Sequence, residues 1–159
     1  MNAPKIINDL YVGQVFEHKR LVSKKLIREF AEATGYLNPI HLDETFAKKS
    51  VFKKLVAQGS LTVAILFGTM GTQSPGVGTI PISQTLKFIK PVLAGDEILV
   101  RLKVIGLDRK RHRVNLETVC LNQKGEEVLS GQAWVLAPQN VTLKPKKEGG
   151  QHEKDSYGN

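Results

Sequence analysis

The run Gly59-Ser60-Leu61-Thr62-Val63-Ala64-Ile65-Leu66-Phe67-Gly68-Thr69-Met70-Gly71 carries no charge and is apolar almost all round, which constrains the fold more than any other stretch. A helix written this way has no solvent face and reads as one enclosed by a core. It falls well short of the roughly 20 apolar residues that a membrane-spanning helix needs. Downstream, the period changes from helical to two. Ile82, Gln84, Leu86 and Phe88 alternate, as do Ile98, Val100, Leu102 and Val104, then Val114, Leu116, Thr118 and Cys120, then Val128, Ser130, Gln132, Trp134 and Leu136. That spacing puts side chains on one face of a strand. Turn chemistry at Ala94-Gly95-Asp96 and Lys124-Gly125 separates the runs, which predicts an antiparallel meander of four strands after one enclosed helix. A sheet with a helix on one face is an α+β arrangement.

Upstream, Val15 to Leu21 can extend as a further strand. Ser23 stands at a helix N-cap position, Leu26, Ile27, Phe30, Ala31 and Thr34 recur at helical spacing, and Gly35 ends the helix. Asp43 caps a second, short helix running to about Ser50, with Lys48 and Lys49 near its negative end. With 159 residues and 41% hydrophobic content, the chain supports one domain with a sizeable core. That domain is read as residues 1–138. Residues 139–159 are rich in lysine, glycine and polar side chains and offer little burial to offset ordering entropy, so a disordered tail is expected there.

The lone Cys120 excludes an intramolecular disulfide and a Cys-rich zinc site, and suits a reducing compartment. Met1 to Leu10 has no continuous apolar core of a secretory signal, so the cytoplasm is the expected location, with no membrane association. A formal net charge of +8 favours anionic partners. The densest basic run, Arg109-Lys110-Arg111-His112-Arg113, sits where a hairpin turns and reads first as a solvated loop, with coenzyme A phosphates or an acidic carrier protein as the functional alternative. It has no interleaved aromatics and no recognisable nucleic-acid module, so DNA or RNA binding is not expected. No His/Cys/Asp/Glu cluster has metal-ligand spacing.

The segment Thr34-Gly35-Tyr36-Leu37-Asn38-Pro39-Ile40-His41 ends a helix, turns on Asn-Pro and presents one of the chain's four histidines. Followed by Leu42-Asp43-Glu44-Thr45-Phe46-Ala47, it resembles the signature of the MaoC-like dehydratases, the (R)-specific enoyl-CoA hydratase family. The resemblance runs from about Val12 to Pro138 and includes Pro75-Gly76-Val77-Gly78-Thr79, Pro91, Gly95 and Asp96. It implies the hot-dog fold, a curved antiparallel sheet wrapped around a central buried helix, and at least a homodimer. It implies as substrate an acyl-CoA or acyl-carrier-protein thioester, with no cofactor beyond the coenzyme A it carries.

In that family an aspartate and a histidine address one water, which adds across a trans-2-enoyl thioester to give the (R)-3-hydroxyacyl form. Carried over residue by residue, the resemblance makes His41 the acid-base residue, Asn38 a positioning residue and Gly59 the backbone oxyanion donor. The motif aspartate's place holds Tyr36, and Gln58 stands where the family usually has histidine. An unperturbed phenol ionises near about 10 and a carboxylic acid near about 4, so Tyr36 is read as a hydrogen-bond donor rather than a base. Glu32, four residues before Tyr36, and Asp43 are the carboxylates near enough in sequence to compensate; a solvated helix position and an N-cap are their plainer readings. A non-catalytic acyl-CoA-binding or regulatory subunit of a heteromeric dehydratase is the alternative. An acyl-CoA thioesterase is third, since Ser60 to Gln73 contains no Asp or Glu to act as base.

Overall fold

A computed structural model describes residues 5–138. The expected tail, 139–159, lies outside the described residues. Strand β1 (Val15–Leu21) is followed by helices α1 (Lys24–Thr34), α2 (Pro39–Leu42), α3 (Glu44–Lys49) and α4 (Gly59–Thr72). Strands β2 (Ile80–Phe88), β3 (Glu97–Asp108), β4 (Arg113–Leu121) and β5 (Glu127–Leu136) follow within the described residues.

The helix boundaries fall where capping chemistry puts them. Ser23 accepts a hydrogen bond from Leu26 N–H at 3.1 Å, satisfying a first-turn donor of α1. Gly35 closes α1 at φ 69, a left-handed conformation that glycine adopts without steric cost. Asp43 Oδ1 accepts from Thr45 N–H at 2.7 Å and Phe46 N–H at 3.1 Å and so starts α3.

All five strands form one antiparallel sheet in the order β1-β3-β4-β5-β2. The expected meander holds for β3-β4-β5 alone. β2, the first strand after α4, pairs with β5 at the far edge, Phe88 opposite Leu129 and Gln84 opposite Ala133. The chain then crosses the end of the sheet through residues 89–96 to enter β3. Turn residues revealed where strands stop, but local turn chemistry says nothing about a partner more than forty residues away.

Ile98, Val100, Leu102 and Val104 of β3 and Val114, Leu116, Thr118 and Cys120 of β4 are buried on the inner face as the alternation predicts. In β5 the inner face is the other one. Leu129, Ala133 and Val135 are buried opposite Cys120, Leu116 and Val114, while Gln132 and Trp134 face outward. Both alternations of β5 contain apolar residues, so period alone could not choose; cross-strand pairing chooses.

Helix α4 lies in the concavity, burying Leu61, Thr62, Leu66, Thr69 and Met70. It is not enclosed all round in the single chain, because Ala64 and Gly68 remain open. Ile27 and Ala31 of α1 join the same core, and Gln58, fully buried, ties the two helices by donating Nε2–H to Ile27 O at 3.2 Å.

The basic run sits at the β3–β4 turn as predicted, but its first residue is structural. Arg109 donates to Ile7 O at 2.8 Å and Leu10 O at 3.0 Å, and Arg111 pairs with Asp108.

Burial pushes the Cys120 thiol up to about 12 from about 9. Its contribution to stability is therefore intact below pH 9 and is lost as pH rises toward 12, where the unfolded thiol ionises and the folded one resists. A thiol-reactive chromophore should leave native protein unlabelled and label one site per chain in denaturant; rapid labelling of native protein would contradict this packing.

Candidate active site

The turn after α1 builds the site from backbone outward. Asn38 Oδ1 accepts from Ile40 N–H at 3.2 Å and caps α2, with Pro39 pre-set for its first position. This short helix delivers His41 into the interior, where the residue is 7% exposed. Its Nδ1 lies 2.7 Å from Val56 O. A carbonyl oxygen only accepts, so Nδ1 carries the proton in this contact, and in the neutral ring Nε2 carries the lone pair. Nε2 is buried and has no hydrogen-bond partner among the described residues.

Val56 is itself held firmly. It forms a bridge with Leu93, the next residue donates from Ala57 N to Val92 O at 2.8 Å, and Val56 N–H reaches back to Ile40 O at 3.5 Å. The partner segment is fixed by Asp96, which accepts from Leu93 N–H and from Gln123 Nε2, each at 2.8 Å. The carboxylate of Asp96 thus ties the wall of the site to the β4–β5 turn, beyond the turn-supporting role its sequence position suggests.

A pocket of about 380 Å³ opens beside His41. Its walls are apolar, from Ile40, Phe52, Val56, Val92 and Val128, and it includes Gly59, Thr62 and Phe88. Gly59 is the first residue of α4, and Gln58 before it makes no side-chain cap, so first-turn N–H groups at the positive end of the helix are not consumed by a capping side chain. A Cβ on Gly59 would stand 2.9 Å from the Phe88 ring, so close packing also calls for glycine here. Lys90 at the pocket wall is engaged by Glu126 at 2.6 Å; its hydrogen bond, then that of Asn122, holds the Glu126 carboxyl below its usual range.

His41 and Gly59 therefore line one pocket. Asn38 is exposed and acts on His41 only through the α2 turn. Tyr36, 45% exposed, does not line the pocket but sets its ring edge-on to His41, with centroids 5.1 Å apart and planes at 78°. Its hydroxyl makes no hydrogen bond among the described residues. Neither candidate carboxylate lines the pocket: Asp43 is engaged as a cap, Glu32 is exposed, and no Asp or Glu among the described residues is part of its wall. Sequence reasoning missed Thr62 and Phe88, because an enclosed helix and an alternating strand do not reveal which positions meet at a helix end. It also missed Val56, whose contribution is a backbone oxygen.

A second cleft, about 400 Å³, runs along the opposite flank of α4 between Leu26, Phe30 and Ile65, with His18 and Arg20 from β1. Among the described residues it has neither a helix N-terminus nor a buried unpaired nitrogen, both of which the His41 pocket has. The basic run at 109–113 lies at the other end of the strands, since Arg113 pairs with Leu136 while Phe88 and Leu129 meet beside the pocket. Among the described residues, no group of three or more His, Cys, Asp or Glu could hold a metal ion, and no helix is long and apolar enough to cross a membrane.

The comparisons agree with one another. The family model for the MaoC like domain matches residues 10–124. A 3-hydroxybutyryl-CoA dehydratase of Methylorubrum extorquens is 39% identical over 86% of this chain and 87% of its own length. An (R)-specific enoyl-CoA hydratase of Rhodospirillum rubrum is 34% identical over 82% of this chain and 90% of its own. The unliganded R-hydratase PhaJ1 of Pseudomonas aeruginosa superposes with a TM-score of 0.82 at 34% identity, covering 92% of this chain and 97% of that one. A five-stranded antiparallel sheet curved around α4, matched over nearly all its length by an R-hydratase, is the hot-dog fold, and the chain belongs to the MaoC-like dehydratase family.

Proposed function

We propose that this chain adds water across the double bond of a trans-2-enoyl thioester to give the (R)-3-hydroxyacyl thioester, and catalyses the reverse dehydration. The observation that carries this reading is the His41 ring, fixed at Nδ1 by Val56 O and left with a buried, unpaired Nε2 in a pocket that also contains the start of α4. The names of the relatives support it. Nε2 takes a proton from water as the water oxygen bonds to C3, and the π electrons move onto C2 and the thioester carbonyl. The N–H of Gly59 and the positive end of α4 meet that enolate charge. The same proton then passes from Nε2 to C2, which restores the base and completes the addition of H and OH.

Tyr36 stands in for the motif aspartate through its ring, which braces His41, with its hydroxyl as the available hydrogen-bond donor. Losing one positioned acid-base group costs about 100-fold to 10,000-fold, so the expected enzyme is a slow hydratase. The lack of any carboxylate in the pocket among the described residues favours a second reading, a non-catalytic acyl-CoA-binding subunit of a heteromeric dehydratase. The thioesterase reading ranks third, since α4 offers no base.

The reading includes a cytoplasmic setting and a homodimer. β2 is an edge strand with Ile80, Ile82, Leu86 and Phe88 exposed, a combination that invites pairing with a second copy. Analytical ultracentrifugation should find a dimer; a monomer at high micromolar concentration would contradict this assignment.

Activity is read by loss of enoyl absorbance from crotonyl-CoA. Wild type should hydrate slowly, His41→Ala should lose at least about 100-fold, and Tyr36→Asp should be faster than wild type. Asp43→Asn should match wild type, because asparagine caps a helix as well as aspartate does. A silent wild type rescued by Tyr36→Asp would favour the binding-subunit reading. Silence of both across a panel of 2-enoyl thioesters would remove the hydratase.

A further inference from the structure

The backbone pairing that walls the His41 pocket continues beyond it. Val56, Ala57 and Val92 line the pocket; one step further along the same pairing, where Ala94 N–H donates to Leu55 O at 3.0 Å, Leu55 and Ala94 line a smaller hollow of about 160 Å³. Its remaining walls are Lys24, Glu44, Lys48, Lys53 and Lys54. Four ammonium groups meet a single carboxylate, and Lys24 already engages that carboxylate at 2.6 Å. Among the described residues Lys48, Lys53 and Lys54 form no ion pair.

Lys48 also complements the negative end of α3, which accounts for its charge there. Lys53 and Lys54 have no helix to serve. They follow Phe52 in the turn after α3, where Lys53 adopts φ 59, a left-handed conformation uncommon for a residue with a side chain. That turn puts Phe52 in the wall of the His41 pocket and the next two lysines in the wall of the hollow. Between Ala57 and Lys53 the chain spans at most about 14 Å, within the reach of an extended pantetheine arm.

We propose that this lysine-lined hollow receives phosphate groups of coenzyme A, whose pantetheine arm leaves the His41 pocket along Val56 and Leu93. The proposal rests on the acyl-thioester reading of that pocket and narrows it to coenzyme A. Lysines gathered around a hollow of this size suit a compact phosphate. The acidic face of a carrier protein would need a broad cationic surface rather than one recess. The basic run at 109–113, by contrast, stands at the other end of the strands.

The test is equilibrium binding of free coenzyme A and of pantetheine, by calorimetry, to wild type, the double variant Lys53→Ala/Lys54→Ala, and Lys103→Ala, which removes a charge from the outer face of β3. Coenzyme A affinity should fall about tenfold or more in the double variant, as expected for lost charge-assisted hydrogen bonds. Pantetheine affinity, the unfolding midpoint and the Lys103→Ala protein should be unchanged. Equal weakening of pantetheine, unchanged coenzyme A affinity, or no coenzyme A binding by wild type would each overturn the proposal. Binding of the free cofactor needs no turnover. An inactive wild type that binds coenzyme A through these lysines removes the hydratase and leaves the phosphate site standing, and an active wild type indifferent to them does the reverse.

Discussion

Everything at the site depends on one hydrogen bond, from His41 Nδ1 to the carbonyl of Val56. A buried imidazole has two nitrogens of opposite character, and only a partner on one of them decides which acts as base. The partner here is backbone, so its position is set by pairing rather than by a rotamer. Val56 is held by Leu93 across the bridge and Ala57 by Val92, while Asp96 clamps that segment to the β4–β5 turn. Ile40 accepts from Val56 in turn, so the histidine's own helix and the strand-like segment fix each other. The His41 ring is thus referenced to the sheet through hydrogen bonds that no side-chain substitution at Val56 removes directly.

The opposite side of the pocket is made by a different device. α4 begins at a glycine, and its N-cap residue turns its side chain away to Ile27 O instead of closing the helix. The result is a positive helix end in apolar surroundings, where a developing negative charge is met by fixed dipoles that need no reorganisation. Packing adds to this arrangement: a Cβ on Gly59 would stand 2.9 Å from the Phe88 ring and push it aside, so glycine here suits both the helix start and the contact. An unpaired imidazole nitrogen and a helix start then share one pocket that no carboxylate of the described residues lines. The proposed water addition through a single acid-base residue draws on that inventory.

Local signals in the sequence were legible because local physics decides them. Ser23 and Asp43 mark helix starts through hydrogen bonds within three residues and Gly35 marks a helix end through its positive φ, and the structure places each where the sequence does. The inner faces of β3 and β4 followed from alternation. Long-range choices were not legible: β2 reaches past three strands to pair with β5, and β5 presents the face that cross-strand neighbours select. At the site, His41 and Gly59 were identified by resemblance, and the structure puts them in one pocket. Tyr36 was expected near the chemistry, yet it touches the histidine through its ring edge and lies outside the pocket wall. Asn38, expected as a positioning residue, caps α2 one step removed from the His41 ring. Val56 could not be found in the sequence, because any residue supplies a carbonyl.

The measurement that tests this account most directly is the tautomeric state of His41, read by nitrogen NMR on protein labelled at the histidine ring, with His41→Ala to assign the signals. The expected result is a proton on Nδ1, held to the Val56 carbonyl, and an unprotonated Nε2 that responds when a substrate analogue enters the pocket. A neutral ring with its proton on Nε2, or an Nε2 signal indifferent to ligand, would contradict the assignment of His41 as the base that activates water.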